Sequence, residues 1–269
     1  MQYAATIGYV GTGFCGFQIQ PNVRTVQGTL TDAFSRLFGV KCEVSGCSRT
    51  DSGVHALAAR VSVRPADGAH RIPPEKIPQA IAPFLPWDLC VKEVFEVPDT
   101  FHIRHDVLKK RYIYLLHAAP VRDPFFVGRA WQFPYPFPEG ALQRMREAAA
   151  ALVGRHDFSA FMSSGSDVPT TVRTVYDLSV EKDEKGYRFS VEADGFLYNM
   201  VRIIVGTLVD VGMERIGSQQ IHAILASKER KNAGETAPPE GLYLEKVWYR
   251  TPFSSPENNA NRNTASDAY

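Results

Sequence analysis

Apolar and polar positions change period several times along the chain, and each change marks an element. Runs suited to strands occupy Tyr3–Val10, Cys42–Cys47, Ala58–Val63 and Leu89–Val97. Between the first two, Val26, Leu30, Ala33, Phe34 and Leu37 recur at spacings of three and four. This predicts an amphipathic helix over Val26–Phe38, with Thr25 as N-cap and Gly39 as its stop. A second helix is predicted over Pro74–Ala82, opening on prolines that a first turn tolerates. The order is β-α-β-β-α-β, the split pattern of ferredoxin-like and RNA-recognition folds.

The second half repeats that order without repeating the sequence. Arg111–Leu116 reads as a strand, and Ala141–Val153 as a helix with Leu142, Met145, Ala149 and Leu152 facing inward. Thr171–Lys182 and Tyr187–Glu192 form a hairpin pattern turning at Glu184-Lys185-Gly186. Helical patterns follow at Leu197–Val211 and Ser218–Ala226, and Leu242–Tyr249 closes the series as a strand. The expected fold is α+β: two ferredoxin-like or RNA-recognition-like βαββαβ halves, with sheets joined around a central cleft. The expected organisation is an N-terminal half over 1–105, a C-terminal half over 106–250 and a disordered tail over 251–269. The Pro-rich stretch Asp123–Pro138 is taken as the connection.

Composition narrows the class. At 269 residues, 44% hydrophobic and 22% charged, the chain has the make-up of an ordinary globular protein. No apolar run approaches the roughly 20 residues that span a bilayer, so no membrane association is expected. The start, Met1 to Ile7, has a strand pattern and lacks the features of a secretory signal, which points to the cytoplasm. A formal charge of +1 neither demands nor excludes nucleic acid, because local patches decide phosphate binding. Cys15, Cys42, Cys47 and Cys90 form no C-x-x-C pair and have no His-x-Glu companion. Free, mostly buried thiols and no metal site are expected. Gly11-Thr12-Gly13-Phe14-Cys15-Gly16 matches G-x-G-x-x-G, but Pro21 would break the helix that a dinucleotide site needs there, so no nucleotide cofactor is expected.

The most informative stretch is Ser48-Arg49-Thr50-Asp51-Ser52-Gly53-Val54-His55-Ala56, which joins two strands with small and polar residues. Asp51-Ser52-Gly53 suits a tight turn, and composition alone favours that use. The same loop could also project side chains from a sheet edge into a cleft. Arg49 to Ala56 resembles the Arg-Thr-Asp-x-Gly-Val-His-Ala motif of the TruA family of tRNA pseudouridine synthases. Five further segments resemble that family in the same order: Gln20 to Gly28, Phe101-His102-Ile103-Arg104, Arg111-Tyr112-Ile113-Tyr114, Phe196 to Arg202, and Ala237 to Leu244. Together they cover nearly all of residues 1–250. Departures fall at Val10, Phe17 and Ser48, where the family commonly has Asp, Trp and Gly.

The resemblance implies a cofactor-free isomerase, an intramolecular transferase that turns uridine into pseudouridine in the anticodon stem-loop of tRNA, at positions 38, 39 or 40. It also implies a homodimer. It makes Asp51 the catalytic carboxylate, acting as nucleophile toward the sugar or the base, or as a base at the sugar. Arg202 is the implied ion-pair partner of Asp51. It sits among Leu197, Met200, Val201, Ile203 and Ile204, where an arginine needs a partner, although a solvated arginine is the plainer alternative. A neighbouring guanidinium favours the ionised carboxylate. Tyr112 is the implied active-site aromatic, able to stack on an everted uracil and help move the C5 proton, or else one more inward strand residue. Arg49 is expected to hold a phosphate or fill the gap left by the flipped base, while His55 is as compatible with structure as with catalysis. Arg104, Lys109, Lys110 and Arg111, bracketed by Phe101 and Tyr112, form the expected RNA-binding stretch. A TruA-like enzyme for another RNA position and an inactive RNA-binding or chaperone relative are the alternatives. Retention of Asp51 with Arg49, Tyr112 and Arg202 argues against the inactive one.

Overall fold

A computed structural model describes residues 2–68, 72–165 and 168–250, so the expected tail lies outside the described residues. The chain divides into two compact units. One is drawn from Met1–Thr50, Ala56–Leu108 and the chain from Val247; the other from Asp51–His55 and Lys109–Lys246.

The first unit contains β1 (Gln2–Tyr9), α1 (Val26–Phe38), β2 (Cys42–Gly46), β3 (His55–Pro65), α2 (Ile77–Ile81) and β4 (Leu89–Val97). The sheet order is β4-β1-β3-β2, antiparallel throughout. All eight residues of β1 are buried because the strand is central and covered, which explains its continuous apolar pattern. Thr25 caps α1 by accepting from the Gly28 N–H at 3.2 Å, and Gly39 ends it in the left-handed region at φ 69°. Val26, Leu30, Ala33 and Phe34 face inward as expected, but Phe38 rather than Leu37 takes the last buried place. The Gly11–Gly13 stretch is a single 3-10 turn, and both neighbours of β1 run antiparallel to it. A dinucleotide fold requires a helix at that point and parallel neighbours. Two of the four cysteines, Cys15 and Cys90, are exposed, so fewer are buried than the sequence suggested.

The second unit holds most of β5 (Val107–Ala118), then β6 (Trp131–Phe133), α3 (Ala141–Ala150), β7 (Gly154–Asp157), β8 (Val172–Lys182), β9 (Gly186–Ala193), α4 (Met200–Gly212), α5 (Ile221–Ser227) and the start of β10 (Leu242–Tyr249). The order β10-β5-β9-β8 repeats the first sheet's plan, with β7 added beyond β8 and β6 pairing in parallel with β5. The short strands β6 and β7 carry too few residues to show a period, and no pattern along the chain announces them. Eleven of the thirteen residues of α4 are buried. A helix apolar on every side must be enclosed, so a charged residue on it needs specific partners. The helix begins at Met200 rather than Leu197, because Asn199 stands in the left-handed region at φ 61°.

Candidate active site

Asp51 opens a tight turn in which the Val54 N–H donates to the Asp51 carbonyl at 3.2 Å. Gly53 stands third in that turn at φ 82°, the conformation that a type II turn asks of its third residue. The two readings of the loop are compatible: the turn fixes the backbone, and the Asp51 side chain is about one third exposed, at 32%. Its Oδ2 lies 3.6 Å from Nη1 of Arg202, an ion pair slightly longer than a hydrogen bond. Burial pushes the Asp51 carboxyl above its usual range, and the Arg202 guanidinium only partly opposes this. The sequence suggested a guanidinium-dominated carboxylate; desolvation is the larger effect.

Arg202 is 15% exposed. Its Nε donates to the Ala237 carbonyl at 2.7 Å and its Nη1 to Asn199 Oδ1 at 2.8 Å. The Ala237 N–H in turn donates to the Arg202 carbonyl at 3.1 Å. This approach depends on Gly206, one turn further along α4, where a Cβ would lie 1.9 Å from the Glu235 carbonyl oxygen. The solvated-arginine alternative is therefore set aside.

The segment from Ala237 to Glu240 touches more of the site than Arg202. The Pro238 carbonyl accepts from the Tyr114 hydroxyl at 2.8 Å, and the Glu240 carbonyl is 3.1 Å from His55 Nε2. Tyr114 is fully buried, and burial raises its hydroxyl pKa well above the usual tyrosine value. His55 is 1% exposed, stacks on Tyr243 with ring centroids 4.4 Å apart, and is pushed down to about 4 by burial. That shift favours the neutral imidazole near physiological pH. Tyr112 is buried, paired opposite Val191, with its ring edge-on to Phe196 at 5.1 Å.

The basic stretch divides by strand alternation. Lys109 and Arg111 share one face of β5 and both donate to Glu192 at 2.7 Å. Burial would raise the Glu192 carboxyl, but the two cations outweigh it and hold the group below its ordinary value. Arg111 also reaches Glu245, its Nη1 lying 3.8 Å from Oε2, so the two cations are shared between two carboxylates. Lys110 lies on the opposite face, the one that carries Tyr112. Arg104 and Arg49 are exposed in the first unit, with Arg104 Nε donating to the Gly46 carbonyl at 3.0 Å. Among the described residues no group of three or more His, Cys, Asp or Glu side chains could hold a metal ion, and no helix is long and apolar enough to cross a membrane.

Asn199 and the Ala237–Glu240 segment were not singled out as site residues from the sequence. A signal existed, since Asn before a helix tolerates positive φ and Pro-Pro is stiff, but neither pattern reveals a partner.

The model of a family described as tRNA pseudouridine synthase matches residues 5–106 and 148–250. The chain is 44% identical over 243 residues to tRNA pseudouridine synthase A of Thermoanaerobacter sp. (strain X514), covering 90% of this chain and 97% of that protein. It is 43% identical to the protein of the same name from Acetivibrio thermocellus, again over 90% and 97%. With that of Listeria monocytogenes the figures are 39% identity, 92% and 99%. Among solved structures, a chain of a Cbf5-Nop10-Gar1 complex aligns with 91% of this chain and 50% of its own, at 13% identity and a TM-score of 0.37.

Proposed function

Because the chain belongs to the tRNA pseudouridine synthase family, we propose that it isomerises uridine at one or more of positions 38, 39 and 40 of the tRNA anticodon arm, with Asp51 as catalytic nucleophile. The supporting observation is the Asp51–Arg202 pair. The carboxylate is open enough to meet a ligand, while its counter-ion is fixed on an enclosed helix. In this isomerisation the C1′–N1 bond breaks, a C1′–C5 bond forms, the C5 proton leaves and N1 gains one. The balance needs no second substrate. Asp51 attacks in its ionised form, and Arg202 keeps that form accessible against the cost of burial.

Tyr112 is proposed to stack on the everted base and assist transfer of the C5 proton. Arg49, Arg104, Lys109, Lys110 and Arg111 are proposed phosphate contacts, Lys109 and Arg111 being held in place by Glu192. We also propose that the protein works as a homodimer in the cytoplasm. Incubating wild type and Asp51→Asn with unmodified tRNA, then mapping pseudouridine by position, tests the assignment. Wild type should modify the anticodon arm, and the variant should bind tRNA within a few-fold of wild type without turnover. Substantial turnover by the variant would falsify the role of Asp51, and modification elsewhere in the RNA would overturn the positional claim.

A further inference from the structure

We propose that Asn199 is a positioning residue for this reaction, aiming the Arg202 guanidinium at Asp51 while Ser163 holds its own amide in place. The proposal rests on Asp51 as the reacting carboxylate. Asn199 stands at φ 61°, a conformation rare for residues other than Gly and most often accepted by Asn and Asp. Strained backbone of this kind persists where the surroundings fix it. Here they do so on both sides. Asn199 Oδ1 accepts from Arg202 Nη1 at 2.8 Å, and Asn199 Nδ2 donates to Ser163 Oγ at 3.0 Å. The Ser163 N–H donates to the Tyr198 carbonyl at 3.1 Å, tying the two backbones together.

The chemistry settles which way the amide faces. A guanidinium has donors and no acceptor, so only the amide oxygen can meet it, and the NH2 group must turn to Ser163. Arg202 Nη1, the nitrogen that Asn199 holds, is also the one 3.6 Å from Asp51 Oδ2. Ala237 holds the guanidinium at Nε, and Asn199 fixes its remaining rotation. An arginine so anchored keeps its charge toward the carboxylate before RNA arrives, which is the preorganisation that catalysis requires. Asp at this position would also tolerate the backbone and accept the hydrogen bond. It would add a second negative charge competing with Asp51 for one cation.

Asn199→Gly and Asn199→Asp therefore form a matched test, since both accept positive φ. The measurements are kcat, KM for tRNA, the pH–rate profile and melting. Ionisable groups on the elements that carry or adjoin the pair include Arg49, His55, Lys110, Tyr112, Tyr114, Arg129, Asp210, Glu235, Glu240 and Tyr243. Among the described residues Arg202 is the charge that acts on Asp51. Neither substitution touches the contacts that hold His55 or Tyr114. In Asn199→Gly, kcat should fall roughly tenfold to a hundredfold, KM should stay within a few-fold, and the acidic limb should move up by about one pH unit. In Asn199→Asp the limb should move further while melting stays near wild type. Ser163→Ala should shift the limb in the same direction by less. A purely structural Asn199 gives lower melting in Asn199→Gly with an unmoved limb, and that result overturns the proposal. So does wild-type kcat in both Asn199 variants. If Asp51→Asn is inactive while either result holds, only the role of Asn199 fails; if Asp51→Asn turns over, the site assignment beneath it fails.

Discussion

Replacing Arg202 by Met removes a charge of known surroundings and leaves the carboxylate in place. At 3.6 Å the ion pair would contribute about 1 kcal/mol in a water-like dielectric and roughly 4–5 kcal/mol at an effective dielectric of about 20. Asp51 is one third exposed, so solvent screening puts the interaction in the lower part of that range, about 2 kcal/mol. That corresponds to a rise of roughly one to two pH units in the Asp51 carboxyl. It adds to the upward push that burial already exerts. The active, ionised form is then lost at higher pH, so the acidic limb of the rate profile should move up by the same amount. Ala237 and Asn199 also lose a donor each, costing about 1 kcal/mol apiece. For a chain of this size the summed loss corresponds to melting roughly 5–15 °C lower. In the double variant Asp51→Asn with Arg202→Met no charge is left stranded, so it should melt above Arg202→Met alone while remaining inactive. The assays are a pH–rate profile of Arg202→Met and melting of both single variants and the double. Additive melting shifts with an undisplaced limb would refute the pairing.

Asp51→Asn should melt at or above wild type near neutral pH, because a carboxyl whose folded pKa is raised costs stability wherever it is ionised. The gap should close as pH falls through the raised pKa, and a gap that widens on acidification would contradict it. Neutralising Lys109, Lys110 and Arg111 together should lower tRNA affinity and reduce the log–log salt slope by about 0.7–0.9 for each phosphate that is no longer neutralised. Since Glu192 is then left buried without its cations, circular dichroism must show the fold intact, and an unchanged slope would place the RNA elsewhere. Gly206→Ala should destabilise by about 1–3 kcal/mol and depress kcat, since its Cβ would meet the Glu235 carbonyl at 1.9 Å and displace the segment that holds Arg202. Wild-type melting in that variant would show the approach to be looser than described.

What the sequence disclosed follows from the physics of each feature. Long periodic elements such as α1 and the closing strand β10 announced themselves, because burial of one face repeats along the chain. Short elements did not: three residues of β6 and four of β7 are placed by their partners, not by their own pattern. The sequence pattern places the start of α4 three residues early, since Asn199 in a left-handed conformation interrupts an apolar run that reads as continuous helix. The pairing of Asp51 with Arg202 is legible through their motifs, but the sign of the Asp51 shift is not. Desolvation depends on how much of the fold closes over the carboxyl, a property of no single segment.

The interactions that assemble the site are largely main-chain, and this bears on how it works. Ala237 holds Arg202 through its carbonyl and its N–H, Pro238 holds Tyr114 through a carbonyl, and Glu240 holds His55 in the same way. Backbone acceptors do not titrate, and His55 is kept neutral by burial down to about pH 4. The backbone acceptors around the carboxylate thus keep their character whether or not Asp51 carries a proton. On the proposed assignment, the acid-side dependence of the rate falls on the Asp51 carboxyl, which burial raises and Arg202 lowers. Ala237 to Glu240 directly precede β10 in the chain. Local opening of the Ala237–Glu240 segment would release Arg202, Tyr114 and His55 together.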